Sequence, residues 1–140
     1  MINLYDLSRK KIAVLDNAFE IDETKEINSV YSLEFSMPST DLKNDLCQKY
    51  FYVRYDEGEL YRITSVTKNS SNGQQIIRYF CEHVIATLID DVIFGSETFG
   101  NLGFYTSDAI SYILSKQTTM IWVLGTCDFN RQFEYTLENE

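Results

Sequence analysis

Residues 58–92 read GELYRITSVTKNSSNGQQIIRYFCEHVIATLIDDV, and this stretch decides the fold. Two segments rich in β-branched and aromatic residues, 60–68 and 74–81, surround a turn-forming segment at 69–73 that is made of Ser, Asn and Gly. This pattern predicts a β-hairpin. No catalytic motif is recognisable within the stretch.

The second half of the stretch changes its apolar spacing from two residues to four. Val84, Leu88 and Val92 lie four residues apart, which predicts an amphipathic helix of about three turns. His83, the only histidine, lies where the predicted strand becomes this helix. We interpret it as a structural residue that caps or hydrogen-bonds at the junction. The predicted core includes Phe35, Ile63 and Leu88.

The clearest upstream strand covers residues 31–37, because apolar and polar side chains alternate there until Pro38 ends the run. We predict that it pairs with residues 19–22 in a hairpin whose turn covers 23–28. Further predicted elements are strands at 2–6, 10–15 and 50–55 and one or two helical turns at 41–48.

The downstream part combines helices, a loop and short strands. It contains a glycine-punctuated loop at 94–105, a helix that begins at Thr106 or Ser107, and strands at 121–124 and 132–137. The element order predicts an α+β, mainly β fold with antiparallel pairing. No β-α-β pattern is visible, which argues against a nucleotide-binding doubly wound sheet.

The charge excludes one class of function. The formal net charge is −9, and it is spread along the chain: residues 1–70 carry −3 and residues 71–140 carry −6. Such a chain repels phosphate backbones, so we expect no sequence-independent nucleic-acid binding. The charge either keeps the domain soluble or lines a surface that DNA passes without binding.

Three cysteines without a CxxC spacing indicate reduced thiols in a cytoplasmic setting. The N-terminus does not resemble a signal peptide, and no apolar run approaches the length of a membrane span. Cys81 and His83 could join Cys47 or Cys127 at a metal, but a closed zinc site needs paired motifs that the sequence lacks.

Other reactive arrangements are equally weak. A Cys–His nucleophile pair would need an electropositive site, which the acidic surroundings oppose. The carboxylate pairs Glu57/Glu59 and Asp90/Asp91 lie in a turn and on adjacent helical positions, where solvated charge is the simpler interpretation. We therefore predict no catalytic residue, no metal site and no cofactor.

The aromatic residues of the 94–105 loop are candidate assembly contacts. They are Phe94, Phe99, Phe104 and Tyr105. Exposed loop aromatics often anchor a partner, but they can also fold back to cover a small core, and the sequence leaves both alternatives open.

Several patterns in order along the chain resemble a known family. They are VYSLEFSMP at 30–38, GELYRITSV at 58–66, CEHVIATLIDD at 81–91, the helix at 107–114 and the strand at 133–137. Together they resemble the N-terminal region of the phage minor structural proteins, or prophage endopeptidase tail proteins, of siphophages that infect Gram-positive bacteria. Tyr61 stands where phenylalanine is commoner in that family. The signature residues are Gly58, Tyr61, Arg62, Ile63, His83 and Leu88.

The resemblance implies an antiparallel β-barrel-like domain with inserted helices, similar to baseplate hub proteins. We expect that part at 1–83, followed at 84–140 by a helix-loop-helix and the start of a second, truncated α+β part. The implied role is structural: a ring at the virion tail tip, usually a trimer, made in the bacterial host cytoplasm. The implied partners are other copies of the chain, the distal tail protein and the tape-measure protein.

Two alternatives stay open beside this structural role. The chain could be the N-terminal portion of a tail-associated cell-wall peptidase or lysozyme whose catalytic module lies downstream, so that no enzyme is expected here. It could also be a small adaptor or carbohydrate-binding β-domain, which predicts glycan binding by a monomer.

Overall fold

The computed structural model describes residues 1–71, 73–90, 97–99, 105–117, 122–132 and 135–137. The contacts divide the chain into two compact units, Met1–Ala86 and Thr87–Glu140. The sequence-based boundary lay at residue 83. The two units are described separately below.

The first unit is built on a seven-stranded antiparallel sheet, as the mainly β prediction required. Its strand order is β2-β1-β5-β6-β7-β4-β3. The strands are β1 (Ile2–Tyr5), β2 (Lys11–Leu15), β3 (Phe19–Thr24), β4 (Ser32–Pro38), β5 (Tyr52–Tyr55), β6 (Leu60–Ser71) and β7 (Gln74–His83). The predicted β6–β7 and β3–β4 hairpins are therefore confirmed.

The sheet is not closed, so the barrel-like expectation was wrong in this respect. Strands β2 and β3 follow each other in the chain but lie at opposite edges of the sheet. Residues 16–18 connect them, which keeps Leu15 and Phe19 within about 14 Å of each other. The sheet therefore curls, yet no described ladder joins its two edges.

The edge strands carry features that oppose closure. In β2 the carbonyl of Val14 accepts a 2.8 Å hydrogen bond from Nζ of Lys43, which also pairs with Asp16. In β3 the register shifts between Phe19 and Asp22, and Glu20 within this bulge has φ 48°. A bulge is a common way to prevent further strand pairing, and at the other edge the Lys43 ammonium occupies the Val14 carbonyl.

The core of the first unit is formed mainly by buried side chains of this sheet. Phe35 and Ile63 are fully buried, as predicted, and Phe35 stacks on Tyr79 with 4.9 Å between ring centroids. Burying side chains of this size is worth about 1.5–3 kcal/mol each, so they dominate the stability of the unit. Other fully buried apolar residues are Ile2, Leu4, Leu33, Met37, Val53 and Tyr61.

Both predicted helical segments near the first sheet are shorter and tighter than expected. The segment at 41–48 is a 3₁₀ helix, Leu42–Leu46, capped by the Asp41 carboxylate, which accepts from the Lys43 N–H at 2.8 Å. The segment after His83 is another 3₁₀ helix, Val84–Ile89, instead of three α-helical turns.

The second 3₁₀ helix also changes the position of Leu88. Leu88 is 41% exposed, so its predicted place in the core was wrong. A 3₁₀ helix has three residues per turn, so a four-residue apolar repeat does not stay on one face. The helix begins directly after His83, the last residue of β7, which pairs with Tyr61 of β6.

The second unit is smaller in its described part. Helix α1 (Thr106–Ser115) begins one residue after its N-cap Tyr105, whose N–H donates to Oδ2 of Asp108 at 2.8 Å. Strands β8 (Glu97–Phe99) and β9 (Tyr135–Leu137) pair antiparallel. Strand β8 lies where a loop was predicted, and residues 122–124 are not the predicted strand.

Candidate assembly surfaces

His83 is a connecting residue between strand β7 and the 3₁₀ helix Val84–Ile89. Its own N–H donates to the Tyr31 carbonyl at 2.8 Å, and its Nδ1 accepts from the Ile85 N–H at 3.2 Å. Because Nδ1 is an acceptor, the ring proton of the neutral imidazole lies on Nε2, which is 3.4 Å from Oε2 of Glu59. His83 thus has the capping role expected from the sequence.

The His83 ring is also held by two tyrosines. Tyr31 and Tyr61 each present their rings edge-on to it, with 5.7 Å between ring centroids. Aromatic pairs favour such T-shaped contacts. These contacts fix the orientation of the imidazole, so its geometry is accounted for by packing within the unit.

Tyr61 links the middle of the sheet to its β3 edge. It is fully buried, and its hydroxyl donates to Oε1 of Glu23 at 2.7 Å. Burial, assisted by this carboxylate, raises the pKa of the Tyr61 phenol well above its ordinary value. Gly58 lies in the adjacent turn, where an added Cβ would come within 3.0 Å of the Tyr55 carbonyl oxygen.

Arg62 forms a cross-strand ion pair with its register partner Glu82. Its Nε and one terminal nitrogen both approach Oε1 of Glu82, at 3.1 and 2.5 Å. The guanidinium also lies 5.5 Å from the ring centroid of Tyr50. Opposite charges across a strand pair and a cation over an aromatic ring both favour one packing of this face.

The structure therefore brings five of the six signature residues together. Gly58, Tyr61, Arg62, Ile63 and His83 lie on β6, β7 and the turn before β6, whereas Leu88 belongs to the second unit. Within the first unit these residues pack in the core, cap a helix or pair across strands, so their roles are structural.

The structure describes two of the four loop aromatics that were predicted to be assembly contacts. Phe94 and Phe104 lie outside the described residues. Phe99 belongs to β8, where its backbone pairs with Tyr135. Tyr105 is 42% exposed and forms an isolated bridge with Gln132 at the start of α1. An assembly role for these four residues stays a prediction.

The cysteines of the first unit are buried in its core. Burial raises the pKa of the Cys47 thiol to about 11 and raises that of Cys81 further. The Sγ of Cys47 donates to the Lys43 carbonyl at 3.4 Å. Among the described residues no group of three or more His, Cys, Asp or Glu side chains could hold a metal ion.

One surface was not anticipated from the sequence: the β6–β7 hairpin extends past the strands beside it. Strand β5 pairs only with Leu60, Tyr61 and Arg62 of β6, and the ladder of β4 on β7 ends at Ile76. No described strand covers the outer edge of residues 64–71, and every side chain at 65–70 is exposed.

The residue composition of strand β6 is the sequence feature that could have indicated this projecting hairpin. Strand β6 continues as TSVTKNSS, in which polar residues occupy both faces and only Val66 is large and apolar. A strand that belongs to a covered sheet alternates polar and apolar residues, and this segment does not. The unpaired N–H and C=O groups of such an edge are available to another strand.

Several clefts adjoin the sheet of the first unit. One of about 490 Å³ is lined by Phe19, Pro38, Ser39, Thr40, Gly73, Gln75 and Ile76. A smaller one of about 200 Å³ is lined by Glu26, Asn28, Ser29, Tyr31, His83 and Ile85. Among the described helices, none is long and apolar enough to cross a membrane.

Two comparisons with known proteins gave matches. The family model described as prophage endopeptidase tail N-terminal domain matches residues 2–83. The crystal structure of a tail protein from Neisseria meningitidis MC58 is similar at 15% identity and a TM-score of 0.47, over 81% of this chain and 32% of that one. No curated protein matches.

The first unit is thus a domain of the phage-tail class, with an open, mainly β antiparallel sheet. The chain belongs to the prophage endopeptidase tail family, whose N-terminal domain covers most of its first unit. The family resemblance stated from the sequence is therefore confirmed. Membership of this family indicates a location in the virion tail.

Proposed function

We propose that this chain is a structural component of the tail tip of a siphophage or prophage, where its first unit helps to assemble a baseplate-hub ring around the tail channel. The observation that supports this proposal is the projecting β6–β7 hairpin. Its outer edge, residues 64–71, has no described partner strand. An exposed strand edge is the usual template for pairing with another chain, because its backbone groups lack partners.

The energetics of the hairpin support a docked role. A two-stranded hairpin with both faces in water is marginally stable. Here residues 65–70 keep strand geometry although their side chains are exposed. Pairing with a neighbouring protein would stabilise these residues by completing their hydrogen bonds. In our proposal that neighbour is another copy, in a trimeric ring, or the distal tail protein.

Adjacent prolines on the hairpin test the proposal. Consecutive N–H groups of an antiparallel strand point to opposite edges, so one of Lys68→Pro and Asn69→Pro removes an outward N–H and the other an inward one. We expect the outward substitution to weaken self-association in sedimentation velocity while the melting temperature is kept. The inward one should instead lower the melting temperature. Equal association by both variants and the unchanged chain would contradict a role for this edge.

In this proposal the acidic side chains line the channel of the ring. A ring that passes the tape-measure protein and then DNA must not bind the DNA, and a net charge of −9 opposes such binding. Electron microscopy of assembled rings tests this assignment. It fails if the acidic side chains lie mostly outside the lumen.

We further propose that the chain itself is not an enzyme. The candidate nucleophiles and base of the first unit have structural roles: Cys47 and Cys81 are buried with raised thiol pKa values, and His83 caps a helix. Incubation of the purified chain with peptidoglycan is the direct test. Release of soluble fragments would favour the cell-wall hydrolase alternative.

Glycan binding is the second candidate function, and one observation favours it. The cleft of about 490 Å³ combines the ring of Phe19 with the neutral polar groups of Ser39, Thr40 and Gln75. Aromatic rings and uncharged hydrogen-bonding groups suit sugar rings, and the volume lies within the usual range for ligand sites. Binding of cell-wall oligosaccharides that is lost in Phe19→Ala would support this function.

A further inference from the structure

The two edges of the open sheet carry opposite charge. Arg9 and Lys10 in the turn before edge strand β2, together with Lys11 at the start of that strand, form a basic segment that we call the basic turn. Edge strand β3 and the turn after it carry the acidic residues Glu20, Asp22, Glu23 and Glu26, with a single cation, Lys25. Because β2 and β3 are the outermost strands, the two charged segments lie at opposite margins of one sheet.

The basic turn is free to meet a partner. Arg9, Lys10 and Lys11 are exposed, and none of them forms an ion pair with a described residue. The nearby carboxylate of Asp6 accepts from the Ser8 hydroxyl at 2.6 Å and from the Lys10 N–H at 3.0 Å, so it is already used inside the turn. Leu7 is 62% exposed and places an apolar side chain close to the cations in the chain.

The acidic margin offers a matching surface. Lys25 is neutralised by Glu23 at 3.1 Å, whereas Asp22 and Glu26 form no ion pair with described residues. Glu26 lines the cleft of about 200 Å³ together with the aromatic ring of Tyr31. Ile27, next to this cleft in the chain, is 93% exposed. The surface combines carboxylates, an aromatic wall and an exposed aliphatic side chain.

A strand ladder is not the way these margins would join. The Val14 carbonyl of β2 is occupied by Lys43, and β3 is bulged at Glu20. Side-chain contacts are therefore the available mode. A cation with an aliphatic stem suits the small cleft, because the stem packs on Tyr31 while the charged head reaches Glu26.

We propose that the basic turn of one copy, through Lys10 and Lys11, binds the acidic β3 margin of a second copy at Asp22 and Glu26. This inference rests on the proposed ring assembly and names the charged contact within it. The contact joins two different surfaces, so it is heterologous and closes into a ring when the rotation between copies permits. Its electrostatic character makes the association weaken as salt increases.

Charge reversal in matched pairs tests the contact. Lys10→Glu/Lys11→Glu reverses the basic turn, and Asp22→Lys/Glu26→Lys reverses the acidic margin. Glu20 and Glu23 are left unchanged, since Glu20 accepts from Ser36 and Glu23 from Tyr61. In sedimentation equilibrium of the full chain at low salt, we expect each double variant to self-associate at least tenfold more weakly than the unchanged chain.

Recombining the charges gives the decisive outcome. A chain with both margins reversed should regain association, because its turn is acidic and its β3 margin basic. An equimolar mixture of the two double variants should also associate, while neither does so alone. Lys116→Glu/Arg131→Glu is the control, since it changes the net charge by the same amount as Lys10→Glu/Lys11→Glu but lies in the second unit. It should leave association unchanged.

The outcomes distinguish a failure of the charged contact between the two margins from a failure of the proposed ring assembly. Association that neither charge reversal nor salt affects would overturn the contact between margins, and sensitivity to the hairpin prolines would then still support assembly through β6. A reversed-margin chain that fails to regain association also overturns it, provided that its melting temperature matches that of the unchanged chain. An unchanged chain that stays monomeric at every concentration overturns it as well.

Discussion

The Tyr61 hydroxyl donates a 2.7 Å hydrogen bond to the Glu23 carboxylate, although their strands β6 and β3 are not neighbours in the sheet. Strands β7 and β4 lie between them in the sheet order. Because the sheet curls, the buried Tyr61 hydroxyl connects strand β6, in the middle of the sheet, to edge strand β3. This bond secures a strand that has a ladder on only one side.

Removing this hydroxyl should destabilise the first unit. We expect Tyr61→Phe to lower the free energy of unfolding by about 1.5–3 kcal/mol, the range for hydrogen bonds to charged groups. Tyr52→Phe is the matched control, because Tyr52 is 7% exposed and its hydroxyl forms no hydrogen bond with described residues. Urea titration measures both. Equal effects of the two substitutions would show that the Glu23 contact contributes nothing specific.

The buried Tyr61 phenol should make the first unit less stable at alkaline pH. Burial raises the pKa of Tyr61 and of Tyr79 above the ordinary value near 10. Above about pH 10 the unfolded chain loses these protons while the folded chain keeps them, so the stability falls as the pH rises. The slope of unfolding free energy against pH should be smaller in Tyr61→Phe. An unchanged slope would mean that the phenol titrates alike in both states.

Thiol reactivity should divide the cysteines into two groups. Cys47 and Cys81 are buried and their thiol pKa values are raised, so the reactive thiolate is scarce. Cys127 is only partly covered. A disulfide reagent near neutral pH should therefore modify one thiol quickly in the native chain, and Cys127→Ser should abolish that phase. Fast modification of a second thiol would contradict the burial of the core cysteines.

Truncation in the core should separate two residues that sequence reasoning had placed together. Phe35 is fully buried, so Phe35→Ala should cost about 3–5 kcal/mol through lost burial and an unfilled cavity. Leu88 is 41% exposed, so Leu88→Ala should cost about 1 kcal/mol or less. Thermal and urea unfolding measure both. A cost for Leu88→Ala equal to that of Phe35→Ala would restore the original core assignment.

Local alternation explains why the strands were predictable. Residues 31–37 alternate because one face of β4 lies on the core, and the hairpin turns carry the residues that turns need. The 3₁₀ helix at Val84–Ile89 was not predictable in the same way. Its start is set by the pairing of His83 with Tyr61, a contact between residues far apart in the sequence.

Long-range contacts also decide the two features that matter most for the candidate surfaces. The Val14 carbonyl at the β2 edge accepts a hydrogen bond from Lys43, and neither residue signals this contact in the sequence. The projection of β6 depends on where its neighbour β5 ends. The polar faces of residues 65–70 indicated exposure, but they could not show that the backbone edge is also unpaired.

The last prediction concerns the cap at His83. The Ile85 N–H donates to Nδ1, so the neutral ring should carry its proton on Nε2, which nitrogen chemical shifts report directly. His83→Asn keeps a short acceptor for the same N–H, whereas His83→Leu removes it. We expect His83→Leu to lower the unfolding free energy by about 1 kcal/mol more than His83→Asn, in the range found for helix caps. A proton found on Nδ1, or no difference between the two variants, would show that His83 is held by its tyrosine contacts alone.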